Sequence, residues 1–290
     1  GLEQGAEDNH VHLNLVSTGT FQNAQEEHTI VKRELDGEAD GVIVEPYSSE
    51  ADVILPTESA KPVVLVGTGI ETDRLFTSVM TDHGKLGKSL ADAVIQGKAV
   101  KVGILSGNQS QLGMRQRLKS VKDKLEEAGI EISWILSEKE LDKKMRNVEY
   151  FAEQPVDTVI SLDNDDTEKA VDIILNDDRI SWKLYGDGRS EKLIYYLDKG
   201  TIQELAVPNE YYMGYQSIVL AAQNIRYYTD KTELKGVIEQ ELFYNLQKAL
   251  LNAGYGMMVQ SPVKQSLIFT ESAENIYTVD ENVSRETLLT

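Results

Sequence analysis

Cysteine is absent from the 290 residues of this chain, which excludes disulfides, thiolate metal sites and a cysteine nucleophile. Basic charge is scarce: 29 lysines and arginines stand against 48 acidic residues, a formal charge of −19. Such a surface repels nucleic acid phosphates and anionic membranes at long range, so nucleic acid is not an expected partner. No apolar run reaches the roughly 18 residues that a membrane-spanning helix needs. The four histidines, His10, His12, His28 and His83, are scattered. They form no Ser-His-Asp order and no H-E-x-x-H pattern, and no G-x-x-x-x-G-K phosphate loop accompanies them, so the expectation is a protein that is not an enzyme and needs no cofactor. His10 and His12 share a face as alternate residues, but no third metal ligand accompanies them, and no metal is expected.

What is present is a rhythm. With 41% hydrophobic and 27% charged residues, the chain is long enough for two compact lobes with cores of their own. Short β-branched runs alternate with segments of helical period, the pattern of a parallel sheet with crossover helices. His12 to Val16, Gly41 to Val44, Pro62 to Val66 and Ser78 to Met80 read as strands, with helices over Asn23 to Leu35 and Leu86 to Ile95, the latter capped by Asp82. The rhythm then restarts. Strands are expected at 100–105, 130–136, 158–162, 182–185 and 202–207, and helices at 115–128, 139–153, 167–175, 189–199 and 211–228. Beyond residue 230 a helix around Val237 to Leu251 and a strand at Ser266 to Thr270 are expected, with a peripheral polar tail. The fold class is therefore α/β, with two doubly wound, Rossmann-like lobes.

The order of ADGVIVEP (39–46), KPVVLVGTG (61–69), VMTDHGKLG (79–87), VGILSG (102–107), RQR (115–117), VISLDND (159–165), YGDG (185–188) and VPNEYYMGY (207–215) resembles the type I periplasmic binding proteins. Within that family it resembles the ribose-binding-protein-like, Gram-positive group of ABC-transporter solute-binding proteins. The resemblance spans residues 10 to 225 and implies a ligand cleft between two lobes. Residues 1–100 with 209–235 form the expected N-terminal lobe and 101–208 the C-terminal lobe, while 236–290 carries the extra helix, strand and tail. It also implies cleft residues. Arg117, with Arg115 as the neighbouring alternative, donates to sugar hydroxyls or a carboxylate. Two cations at the start of a helix would otherwise be unfavourable on dipole grounds. Asn164 supplies a donor and an acceptor, while Asp163 to Asp166 also suit a helix cap. Asp187 accepts from hydroxyls, against the alternative of a plain Asp-Gly turn.

The resemblance also has gaps. Gly67-Thr68 stands where an Asp-Arg pair is common in the family, and Pro208-Asn209 where a glutamine is, so the first-lobe candidates become Tyr47, Thr68 and Glu45, with Asn209 at the crossing. The family's central first strand is missing, and Gly1 to Asn9 read as the end of the helix that follows it. About 25 to 30 further residues upstream are expected to supply it. The alternatives are Ser266 to Thr270 or another chain. The resemblance implies a monomeric extracytoplasmic protein, exported or lipid-anchored, that takes a sugar or similar polyol by hinge closure and hands it to the membrane permease of an ABC importer. The runner-up is the ligand-sensing ectodomain of a sensor kinase or chemoreceptor.

Overall fold

The computed structural model describes residues 1–16, 24–50, 61–71, 77–145, 149–233 and 276–278. By internal contacts the chain divides into two units, one of residues 1–81, 110–112 and 209–270, the other of 82–109, 113–208 and 271–290.

The first unit holds α1 (Leu2–Asn9), α2 (Ala24–Asp36), β1 (Val42–Val44), β2 (Val63–Gly67), β3 (Thr77–Met80) and α9 (Glu210–Glu233). Its described strands form a parallel sheet in the order β1-β2-β3, with Val42 opposite Val63 and Val64 opposite Thr77. Adjacent residues of a strand face opposite sides, and β2 shows the consequence. Leu65 packs with Val44 and with Val31 and Leu35 of α2, whereas Val64 packs with Val79 and with Met213, Leu220 and Ala221 of α9. A strand covered on both faces reads as an unbroken apolar run, which is why PVVLV was legible.

The second unit holds α3 (His83–Gln96), β4 (Lys101–Leu105), α4 (Leu112–Glu127), β5 (Glu131–Leu136), α5 (Glu138–Met145), α6 (Glu149–Glu153), β6 (Thr158–Ser161), α7 (Asn164–Asn176), β7 (Lys183–Asp187), α8 (Glu191–Asp198), β8 (Ile202–Ala206) and β9 (Ile276–Thr278). Its sheet runs β5-β4-β6-β7-β8-β9, parallel except for the last pair. Strand order reverses between β4 and β6, and in open α/β sheets such a reversal opens a crevice at the strand carboxyl ends. Leu86, Leu90 and Val94 of α3 and Val121 and Leu125 of α4 cover one face against Val102, Ile104 and Ile160. The other face packs α7 and α8 with Trp134, Phe151 and Trp182 against Leu105, Val159 and Leu184.

Three features differ from the sequence expectations. His12 to Val16 forms no strand; with no described strand beside it there is no ladder to join, and Leu15 and Val16 are exposed at 62% and 42%. The α3 helix packs on β6, β7 and β8, so its burial lies in the second unit although the sequence division at residue 100 grouped it with the first. The helix expected over 139–153 is helical in its described parts, α5 and α6. The tail contributes β9, whose Ile276 lies opposite Ala206 and so pairs the edge of β8. The helix expected near Val237 to Leu251 and the strand at Ser266 to Thr270 lie outside the described residues.

Phe151 is 1% exposed, with its ring centroid 5.9 Å from that of Trp134 and 5.3 Å from that of Trp182. Phe151→Ala is expected to destabilise the protein by about 3–5 kcal/mol, read as a lowered midpoint in urea unfolding with an unchanged slope.

Candidate functional site

The residues singled out in the second half of the sequence meet at the carboxyl ends of β6 and β7. Arg117 lies in the second turn of α4, which starts at Leu112, three residues before the expected start. The helix-dipole field fades beyond the first turn and so does not act strongly on Arg117. Burial takes its place, since the Arg117 side chain is only 6% exposed. Three groups compensate the buried charge. Nε donates to His83 Nδ1 at 3.0 Å, and Nη1 donates to the Leu162 carbonyl at 2.6 Å and pairs with Asp187 Oδ1 at 3.0 Å. Among the described residues Nη2 has no hydrogen-bond partner. Its two N–H groups are the donors that this guanidinium can offer to a ligand.

Asp187 ends β7 and is 7% exposed. The turn after it depends on Gly188, which has φ +135°; a Cβ there would lie 2.6 Å from Asn164 Oδ1. Asn164 opens α7, and its Oδ1 accepts from the backbone N–H groups of Arg189 and Ser190 at 3.2 and 3.3 Å, while its Nδ2 donates to Asp165 Oδ1 at 3.3 Å. Its amide oxygen thus ties the β7–α8 turn to the head of α7. The buried hydroxyl of Thr167 lies 2.6 Å from the Asp163 carbonyl and 2.8 Å from that of Asp187, so its single proton binds the two strand ends alternately.

The acidic run divides its labour. Asp163 is the N-cap, accepting from the Asp166 N–H at 2.8 Å. Asp166 is fully buried, with one carboxylate oxygen 3.3 Å from Lys169 Nζ and the other without a partner. Burial, then the nearby Asp163 charge, raises its pKa from 3.8 to about 7, opposed by Lys169. Burial also raises Asp163.

The other candidates sit elsewhere. Arg115 donates from Nη1 to the Gln109 carbonyl at 3.3 Å. Asn209 caps α9, its Oδ1 accepting from the Tyr212 N–H at 3.0 Å. In the first unit Tyr47 and Ser48 follow β1, Glu45 is exposed, and Thr68, after β2, is 4% exposed. Sequence reasoning passed over two residues. Glu27 of α2 is 1% exposed and its Oε1 accepts from the Tyr47 N–H at 2.9 Å, which pins the loop after β1; burial raises its pKa. His83, the partner of Arg117, is 34 positions away from it. No local spacing signals either pairing. His10 closes α1 in a left-handed conformation, and among the described residues no group of three or more His, Asp or Glu side chains is placed to hold a metal ion. No helix among them is long and apolar enough to cross a membrane.

A sequence profile described as "periplasmic binding protein domain" matches residues 1–228. The chain belongs to that family. Comparison with the curated proteins finds no match. Among solved structures, this binding protein is similar to the carbohydrate transporter solute-binding protein from Agrobacterium radiobacter in complex with D-arabinose, at 17% identity and a TM-score of 0.69, covering 78% of this chain and 81% of that one. It is similar to the glucose-galactose binding protein GanP from Geobacillus stearothermophilus, at 21% identity, TM-score 0.68, and coverage of 78% and 84%. A chain of the XylFII–LytSN complex matches at 14% identity, TM-score 0.69, and coverage of 82% and 88%. At these identities the likeness is one of fold, that of the type I periplasmic binding proteins.

The Asp166 environment has a consequence for stability. The folded protein holds this proton up to about pH 7, whereas the unfolded chain releases it near pH 4. Folded stability therefore falls as pH rises from about 4 to 7, and the full penalty persists above 7. Asp166→Asn is expected to raise the melting temperature at pH 8 by roughly 2–4 °C, on the order of 1 kcal/mol, and to leave it little changed at pH 4. Thermal melts across that range check it.

Proposed function

We propose that this protein binds a sugar or similar polyol at the carboxyl ends of β6 and β7, as the extracytoplasmic solute-binding component of an ABC importer. The observation that carries the reading is the buried Arg117–Asp187 pair at 3.0 Å beside the sheet's reversal point. A fixed donor fork next to a carboxylate matches neighbouring hydroxyls of a sugar ring, which each donate and accept. Asn164 lies beside the pair at the head of α7, and Arg115, Tyr47, Thr68 and Asn209 are the further ligand contributors that the family resemblance implies. Lobe closure, as the resemblance implies, completes capture. Family membership and the likeness to solute-binding proteins crystallised with D-arabinose, myo-inositol and D-allose support a sugar or polyol over other small polar ligands. An exported or lipid-anchored monomer of a Gram-positive bacterium is part of the same reading.

A second reading, the ectodomain of a sensor, is favoured by the match to a chain of the XylFII–LytSN complex. It shares the ligand site and differs in the partner.

A thermal-shift screen of pentoses, hexoses, inositols and nucleosides tests the proposal. A true ligand at a hundred times its Kd adds about 2.7 kcal/mol to folded stability. Arg117→Ala combined with Asn164→Ala is expected to abolish that gain. The absence of a shift with every compound sinks the sugar reading, and unchanged binding by the double variant moves the site elsewhere.

A further inference from the structure

We infer that His83 is the positioning residue for Arg117, and that its protonation state decides whether the guanidinium is aimed for ligand. The inference rests on the reading of Arg117 as a ligand residue.

An arginine Nε–H only donates, so the 3.0 Å contact to His83 Nδ1 requires that nitrogen to be an unprotonated acceptor. The imidazole is thereby held neutral with its proton on Nε2. The ring is 5% exposed and rests on α4 at Gly113, where an added Cβ would lie 2.5 Å from Nε2. It therefore has little room to turn and offer its other edge. With Nε held by His83 and Nη1 by Leu162 and Asp187, the plane of the guanidinium is determined, and so is the direction of Nη2. Removing the His83 acceptor leaves Nη1 as the remaining tether, about which the fork can swing.

Protonation at Nδ1 converts the acceptor into a donor and sets a second cation against Arg117. The charged groups around this contact come from several elements. Arg117 lies on α4, Asp187 at the end of β7 and Asp163 at the head of α7, the last acting on Arg117 through its charge. On the histidine's own helix Asp82 is engaged as the N-cap, accepting from the Lys85 N–H at 2.8 Å. Ligand affinity is therefore expected to fall as pH is lowered through the histidine range, from about pH 8 to pH 5.

The test uses the full chain with two readouts. In the first, the 15N–1H resonance of Arg117 Nε, identified by its loss in Arg117→Lys, is followed with the His83 ring nitrogens from pH 8 to pH 5. The expected result is an acceptor-type Nδ1 at pH 8, with the Arg117 signal broadening as Nδ1 protonates. In the second, D-arabinose, myo-inositol and D-allose serve as probes, and the one with the largest thermal shift is titrated. The wild type is expected to weaken about tenfold between pH 8 and pH 5. His83→Asn sets an amide oxygen where Nδ1 stands, so it is expected to retain most of the pH 8 affinity and lose most of the acid-side fall, while His83→Leu loses affinity at both. Asp163 and Asp166 still titrate in His83→Asn, so the difference between profiles belongs to His83. The inference is overturned if Nδ1 carries a proton at pH 8, or if His83→Asn keeps the wild-type pH profile. If no probe binds, the sugar reading fails separately, and the nitrogen signals still decide the His83–Arg117 contact.

Discussion

A buried guanidinium is the constraint on which the site depends. Leaving an arginine 5% exposed without compensation would cost several kcal/mol, so the surrounding structure has to deliver acceptors at fixed points. Three separate pieces of chain do so for Arg117 of α4: the residue after β6 offers the Leu162 carbonyl, the end of β7 offers Asp187, and the head of α3 offers His83. None of these groups is near another in sequence, so each pairing requires that the sheet and its two covering helices already be assembled. The α3 and α4 helices approach closely enough for this because position 87 is glycine; a Cβ there would meet the Arg117 backbone carbonyl at 2.6 Å.

The same strand ends hold a second polar centre of different character. Asp163 and Asp166 are both raised by burial, and Asp166 keeps one oxygen unsatisfied. Such groups lower stability near neutral pH and persist where geometry is retained for another purpose. Here Asp163 caps the α7 helix whose first residue, Asn164, fixes the β7–α8 turn. The caps, the glycine turn and the buried pair thus cooperate in holding Asp187 and Arg117 in register.

The fold was legible wherever burial on both faces produced continuous apolar strands. Every strand from β1 to β8 was found within two residues at either end, because VIV, VVLV, VGIL and TVIS each satisfy two cores at once. The reading failed where pairing rather than composition decides. His12 to Val16 alternates like a strand yet has no described neighbour to pair with, and β9 is three residues whose only claim to strand structure is the free edge of β8. In the site, Arg117, Asn164 and Asp187 were singled out through the family resemblance, and the structure brings Arg117 and Asp187 into contact with Asn164 close by. Asn209 was named as a ligand candidate at the crossing, and its side-chain oxygen caps α9.

The sequence by itself determined the class of fold and the two series of β/α units, because hydrophobic period is a local property of the chain, whereas the candidate cleft residues came from the resemblance to a family. Tertiary structure alone decided which sheet α3 covers, that the Arg117 charge is buried against Asp187, and that His83 meets Arg117 and Glu27 pins the loop after β1. Those are consequences of contacts across tens of residues, where the energy lies in removing charges and dipoles from water together. No pattern along the chain records which of them will be removed as a pair.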